Sequence, residues 1–373
     1  MKKIIIALAA VAALASCAKS EVEFTPDQQE IGLTPLTENR TKAMVATTDF
    51  PKENFAVWAF YKQLPAGTTI AAWQSSTLAQ QTYIDEKPFA PRTGDQAGLW
   101  GGYGTTYFWP KAGSLMFVGY YPTTMAEKVG YEFTSTVNKM TVSGYTPGDY
   151  QTTGFVNTAE GADHVEDFMY FNMTASSCDA STQGPGNSVK GGQHVDVVFR
   201  HALSWLTVVL KKDSATPAGA TITVKDVYFT EVNTTGTGVV NNSPNTSATP
   251  AETNEISWST TADDTEVYVL GGAGEGADNS TPLTTDYTCK QPVFIPQEMD
   301  GNIVITYEIK SSDDSAFTET KTIKLSDLND ASAADAWQPG KKYTYTVTIG
   351  TTEILIDPII ETWTDVPATV DAK

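Results

Sequence analysis

Histidine and cysteine are nearly missing from this chain, with three of each in 373 residues. Metal centres and nucleophile–base pairs draw heavily on these two residues, so their scarcity narrows the chemistry at once. His194 and His201 flank one strand-like segment, and no H-x-x-x-H occurs. His164 sits in A-D-H-V-E-D, where Asp163, Glu166 and Asp167 read as a solvated acidic loop. A phosphate-binding Gly–Lys loop, G-x-G-x-x-G and G-x-S-x-G are also absent. The segment G-G-Y-G at 101–104 has no lysine and reads as a turn. Among 44 acidic residues, pairs such as Asp263–Asp264 and Asp313–Asp314 do not stand out as a glycosidase pair. The expectation is a chain that is not an enzyme, with no catalytic residue, no metal and no cofactor.

Basic residues are scarce too, 24 against the 44 acids, for a formal charge of −20. That balance repels nucleic acid and other polyanions and keeps the chain soluble at a surface. Long apolar runs are lacking except at the start. Lys2 and Lys3 precede an uninterrupted run from Ile4 to Ala15, which ends at L-A-S-C, Leu14 to Cys17. The run is too short to cross a bilayer, which takes about 20 residues, but it suits a secretory signal. It resembles a bacterial lipoprotein signal, with residues 1–16 removed and Cys17 acylated as the first mature residue. Several acyl chains anchor a protein stably where one does not. Of the other cysteines, Cys178 and Cys289 show no metal-ligand spacing. One long-range disulfide and two free thiols both remain open.

What is abundant is the β-strand pattern. In G-N-I-V-I-T-Y-E-I-K, Ile303, Ile305, Tyr307 and Ile309 share one face, with Val304 alone out of pattern. In K-Y-T-Y-T-V-T-I-G, Tyr343, Tyr345, Val347 and Ile349 alternate with threonines. Both predict strands with one buried and one wet face. Further strand-like segments fall at 55–60, 114–121, 194–199, 206–210, 222–229, 265–270 and 292–296, and no regular helices alternate with them. Packed sheets account for this better than a parallel α/β fold. The chain is longer than one core usually serves, so two domains are expected. Polar connectors at 147–163, 179–193, 234–255 and 271–286 carry the loops. The stretch 179–193, containing G-P-G-N, marks the expected boundary, giving domains at 41–190 and 191–373. Trp73, Trp100, Tyr103, Tyr107, Phe108 and Trp109 cluster in the first domain. They read either as core filling or as a sugar-stacking platform.

The segment V-D-V-V-F-R-H-A-L-S-W-L-T-V-V-L, Val195 to Leu210, alternates through Phe199, breaks at H-A-L-S-W and resumes. This predicts a strand, a bend and a second strand. Its Phe199, His201, Ala202, Leu203 and Ser204 resemble the F-x-H-A-L-S hallmark of the fimbrillin family, the FimA-like and Mfa-like pilins of Bacteroidales. E-D-F-M-Y at 166–170, W-Q-P-G-K-K-Y-T-Y-T-V-T-I at 337–349 and E-T-W-T-D-V at 361–366 are similar to other segments of that family. The resemblance implies an all-β fold of two β-sandwich domains with transthyretin-like topology. It implies a structural role as a fimbrial subunit of a type V pilus, with other fimbrial subunits as partners and with adhesion as the outcome. It also implies a lipidated outer-membrane precursor held through acylated Cys17, an arginine-specific protease that cuts it, and a cell-surface fimbrium as the final location.

That resemblance gives meaning to E-N-R-T-K-A-M-V-A at 38–46. Arg40 becomes the expected processing site, so residues 17–40 form a pro-segment. Lys42 does not suit an arginine-specific enzyme, and Arg92 and Arg200 lie in or beside the folded body. Within the pro-segment, Ile31 and Leu33 of E-I-G-L-T-P-L are period-two partners suited to fill a groove as the released strand. The candidate donor strand lies at 352–366. There Ile354 and Ile356 share a face, Leu355 sits opposite, and Ile359, Ile360 and Trp363 resume the apolar run. Asp357–Pro358 predicts a bend between two short strands. Strand addition supplies backbone hydrogen bonds and side-chain pockets, and a heterologous, non-closing contact makes a polymer. Two other readings stand beside this one: a surface glycan-binding lipoprotein using the aromatic cluster, and an adhesive tip subunit of a fimbria.

Overall fold

The computed structural model describes residues 30–37, 54–65, 70–110, 113–134, 138–146, 167–176, 194–241, 256–263, 265–271, 282–289, 292–328, 336–351 and 354–362. Strands dominate. In the first half they are β1 (Gly32–Thr37), β2 (Phe55–Lys62), β3 (Gln80–Pro91), β4 (Trp100–Gly102), β5 (Ser114–Tyr121), β6 (Val129–Phe133), β7 (Asn138–Tyr145), β8 (Met169–Ser176) and β9 (His194–His201). One short helix, α1 (Ile70–Ser75), follows β2. The second half holds β10 (Ser204–Lys212), β11 (Thr221–Thr230), β12 (Thr235–Asn241), β13 (Ile256–Thr261), β14 (Val267–Leu270), β15 (Tyr287–Thr288), β16 (Val293–Phe294), β17 (Asn302–Lys310), β18 (Ala316–Lys324), β19 (Lys341–Ile349) and β20 (Ile354–Thr362). Among the described residues no helix is long and apolar enough to cross a membrane.

Seven strands of the first half close into a barrel in the order β1–β4–β3–β2–β5–β8–β9, with β9 returning to β1. The barrel explains why F-A-V-W-A-F is apolar throughout instead of alternating. Phe55, Val57 and Ala59 point into the barrel core with Phe89, Leu115, Phe117, Phe171, Val197 and Phe199. Ala56, Trp58 and Phe60 point the other way, into a second core with Met116, Val118, Tyr120 and Tyr170. A strand covered on both faces has no wet side to encode.

The cover over that outer face is a four-stranded sheet, β13–β12–β7–β6. It draws β6 and β7 from the first half and β12 and β13 from the second. The ladder between β7 and β12 pairs Val142 with Gly238, Thr141 with Val239 and Met140 with Val240. Met140, Val142, Tyr145, Val240 and Ile256 from this sheet enter the same core as Trp58 and Tyr120. The two halves are therefore joined by a shared sheet and a shared core.

In the second half, the sheet β15–β10–β19–β20, with β16 paired to β10, shares a core with the sheet β14–β11–β17–β18. The alternation expected of β17 and β19 is met. Ile303, Ile305 and Tyr307, and Tyr343, Tyr345, Val347 and Ile349, are all buried in this core, with Ile309 half-buried at its edge. Val304 is buried as well, on the opposite face of its strand.

The observed architecture departs from the expected one in two places. The first half closes as a barrel because β1 bridges β4 and β9. Strand β9 pairs with β1 and β8, and the chain leaves the barrel at Ala202–Leu203. And the bend expected at Asp357–Pro358 does not form. β20 runs unbroken from Ile354 to Thr362, with Pro358 opposite Tyr345. An edge strand has one side with no ladder, and a residue lacking an N–H is tolerated there.

Candidate functional site

Ile31 and Leu33 are fully buried, Leu33 within the short strand β1 and Ile31 just before it. β1 runs parallel to β9 from Gly32 opposite His194 to Thr37 opposite Phe199. On its other side it meets β4 antiparallel, at Leu33 opposite Trp100. Just before β1, the Ile31 N–H donates to the Tyr107 carbonyl at 2.8 Å, and Glu30 bridges to Phe108. The barrel is closed through β1. Without it, β4 and β9 are two strand edges facing an apolar slot.

The slot is lined by aromatic rings that also pack on one another. Phe55 meets Phe199 edge-on at 5.2 Å and Phe171 at 6.1 Å, and Phe171 meets Phe199 at 5.0 Å. Trp100 and Trp109 belong to the same core. These rings pack with Ile31 and Leu33 in one continuous core. Burying the two aliphatic side chains contributes about 1.5–3 kcal/mol each, as an upper figure.

One cation guards the mouth. Arg92 Nη2 pairs with the Glu30 carboxylate and donates to the Ile31 carbonyl at 3.1 Å, while Nη1 donates to Gln96 Oε1 at 2.8 Å. The Arg92 backbone N–H donates to the Leu99 carbonyl at 2.8 Å. The guanidinium lies where Gly101 leaves room for it. Nearby, the Tyr83 hydroxyl donates to the Phe108 carbonyl, and burial pushes its pKa up to about 12. The pairing of Arg92 with Glu30 was not legible in the sequence, because 62 positions separate the two residues.

The second element of interest is the C-terminal edge. Among the described residues, strand β20 pairs with β19 alone, over its whole length. Ile354 and Ile356 are half-buried against the second core. On one face Leu355 and Ile359 are 57% and 48% exposed, and on the other Ile360 is 40% exposed, a row of exposed apolar side chains interrupted by Asp357. Natural edge strands usually avoid such a row. Trp363 lies outside the described residues, as do Cys17, Arg40, His164 and Cys178.

The conspicuous sequence motifs meet at the crossing between the halves. His201 Nδ1 lies 2.5 Å from Asp167 Oδ2, and the Ala202 N–H donates to the Phe168 carbonyl at 2.9 Å. The Ser204 hydroxyl donates to the Gln338 carbonyl at 2.8 Å, and the Gly340 N–H donates to the Leu203 carbonyl at 2.9 Å. Trp258 Nε1 donates to the Ala202 carbonyl at 2.8 Å. Thus D-F-M-Y, H-A-L-S and W-Q-P-G form one joint, and His201 is a buried structural histidine.

The aromatic cluster resolves in favour of packing. Trp73, Trp100 and Trp109 are buried and Tyr107 is half-buried, leaving Tyr103 as the exposed ring. Cys289 is a buried free thiol whose pKa burial raises strongly. Among the described residues no group of three or more His, Cys, Asp and Glu could hold a metal ion.

A barrel closed by its first strand, followed by a second core between two sheets, defines an almost all-β protein whose described residues carry no metal-binding cluster. The chain belongs to the fimbrillin-like family, whose profile matches residues 59–363. Among solved structures, it is similar to a fimbrial protein from Bacteroides vulgatus, with 19% identity over 90% of this chain and 100% of that one and a TM-score of 0.53. A putative cell adhesion protein from Bacteroides uniformis is 17% identical over 90% of this chain and 99% of that one, with a TM-score of 0.44. A search of curated protein sequences finds no match.

Proposed function

We propose that this chain is a fimbrial subunit that polymerises by exchanging its N-terminal strand for a strand of a neighbour. The observation that carries this reading is the complete burial of Leu33 in β1, and of Ile31 just before it, in the strand on which barrel closure depends. A segment with Arg40 follows β1 directly in sequence. Cutting after Arg40 severs β1 from the rest of the barrel, so that only noncovalent contacts retain it. Its departure opens an apolar slot with two unpaired edges, which a neighbour's strand fills by backbone pairing and side-chain insertion.

In this reading Cys17 carries the acyl anchor that delivers the precursor to the outer membrane, and an arginine-specific protease triggers assembly at the cell surface. The donor is the C-terminal strand, whose exposed Leu355 and Ile359 already mark an edge suited to pairing. The two halves are the family's two sandwich domains, the first closed by the strand it later loses. A usable donor strand favours a place in the stalk over one at the tip. A glycan-binding lipoprotein fits less well, because Trp73, Trp100 and Trp109 of the aromatic cluster are buried in core.

The test is to express residues 18–373, treat the protein with an arginine-specific protease, and follow intact mass and particle size. Loss of residues through Arg40, followed by ladders or filaments, supports the reading. R40A protein should stay monomeric under the same treatment. Resistance at Arg40 in the wild-type chain would end the processing proposal.

A further inference from the structure

Residues 30–38 read E-I-G-L-T-P-L-T-E, and residues 353–361 read E-I-L-I-D-P-I-I-E. Set side by side, Glu30 matches Glu353, Ile31 matches Ile354, Pro35 matches Pro358 and Glu38 matches Glu361. Leu33 and Leu36 stand against Ile356 and Ile359. The first segment contains β1, and the second contains the start of β20.

The proline is the informative match. Proline within a paired strand is uncommon, since it offers no N–H to the ladder. Both segments place it four residues after the isoleucine, and both run through it as strand: Pro35 opposite Val197, Pro358 opposite Tyr345. The faces also agree. Ile31, Leu33 and Pro35 are buried in the barrel, and their counterparts Ile354, Ile356 and Pro358 are half-buried, with Leu355, Asp357 and Ile359 exposed between them. In the barrel slot the C-terminal strand would bury side chains that its present position covers only in part.

We propose that the C-terminal strand of a second copy of this chain enters the barrel in the register of β1, parallel to β9, and that Arg92 reads that register by pairing with the incoming Glu353. Ile354 and Ile356 take the places of Ile31 and Leu33, and Pro358 takes that of Pro35. This rests on the strand-exchange reading and adds to it the register, the direction and the residue that selects them. Arg92 suits the task because it holds both a carboxylate, Glu30, and the next carbonyl, that of Ile31. The same pair of acceptors is presented by Glu353 and Ile354. A fork-shaped cation binding a charged acceptor gives direction as well as affinity.

Two positions fit less well in the newcomer. Leu355 replaces Gly32, whose backbone is buried, and Asp357 replaces Thr34 opposite Asp196, setting two like charges side by side. The resident strand is therefore the better occupant, which keeps the uncut precursor closed. Exchange proceeds once cutting after Arg40 lets the resident strand leave.

The register is tested by cysteine pairs in the chain lacking the leader and Cys17. D196C/D357C protein is cut, allowed to polymerise and mildly oxidised, beside H194C/D357C and V198C/D357C proteins. The proposed register gives a disulfide-linked ladder on non-reducing gels for the 196/357 pair and none for the other two. E353R, which leaves the barrel and its resident strand unchanged, should slow polymer growth at least about tenfold, the loss of one charge-assisted hydrogen bond. A ladder through position 194 or 198 overturns the register while strand exchange stands. Polymers with no ladder in any variant, and full-speed growth of E353R protein, show that another segment fills the slot. Failure of cut wild-type protein to polymerise removes the exchange reading and the register with it.

Discussion

A side chain on Gly101 would need the space that the guanidinium of Arg92 occupies: a Cβ there would lie 2.0 Å from Nη2 and 2.1 Å from Nε. The two residues sit on adjoining strand ends, since Ala90 and Pro91 of β3 pair with Gly101 and Trp100 of β4. Gly101 is therefore the seat of the cation that holds Glu30 and the Ile31 carbonyl. G101A should displace Arg92 and lower stability by about 1–3 kcal/mol, the usual cost of overpacking. Thermal unfolding of the uncut chain measures this. An unchanged melting temperature would mean that Arg92 can leave its seat without cost.

Shortening the buried side chains of Ile31 and Leu33 should weaken the chain. I31A and L33A each remove a fully buried aliphatic group and should cost about 2–5 kcal/mol in urea unfolding. L355A, at a residue 57% exposed, should change stability by no more than about 0.5 kcal/mol. Equal effects at the two ends would contradict the burial described for β1.

Alkaline titration should report on the slot. Burial raises Tyr83 to about 12, above the ordinary value of 10.0. A tyrosine held neutral in the folded state costs nothing below pH 10. As pH rises from 10 to about 12 the unfolded chain loses its proton first, so stability falls through that window. Y83F removes this component, and its stability should decline less steeply there than that of the parent chain. Identical slopes would show that Tyr83 ionises as freely in the folded chain as in the unfolded one.

The joint between the halves should respond to loss of its histidine. H201A removes the partner of Asp167 at a site where His201 is 8% exposed, leaving a carboxylate with one fewer bond in a closed environment. The expected cost is about 1–3 kcal/mol in chemical denaturation. Hydrogen exchange should rise at the Ala202 and Gly340 amides, which bond Phe168 and Leu203 across the joint. Exchange confined to the β20 edge, with the joint still protected, would remove His201 from that role.

Much of the second half was readable locally. In β17 and β19 every second residue is apolar, because each strand has one face on the core, and the other face is polar apart from Val304. The bend at Ala202–Leu203 was readable too, since the alternation of β9 breaks there. The barrel was harder. The apolar run of β2 announces burial on both faces but not what lies beyond either. The segment T-G-T-G-V-V of β12 says little by itself, yet it carries the ladder that joins the halves. Pro358 suggested a break, and the edge position of β20 made one unnecessary.

Chain order alone determined the cast: a short apolar leader ending in cysteine, an arginine after a short apolar segment, two strand-rich halves and a C-terminal segment whose residue pattern matches that of the first strand. Those features are local, set by the alternation of side chains along a strand and by the placing of proline and glycine. Only the tertiary structure decided that β1 lies between β4 and β9, that Arg92 reaches back across 62 positions to Glu30, and that one sheet is shared by both halves. Strand partners are chosen by which edges and apolar faces come together when the whole chain packs, and residues far apart in sequence carry no local mark of that choice.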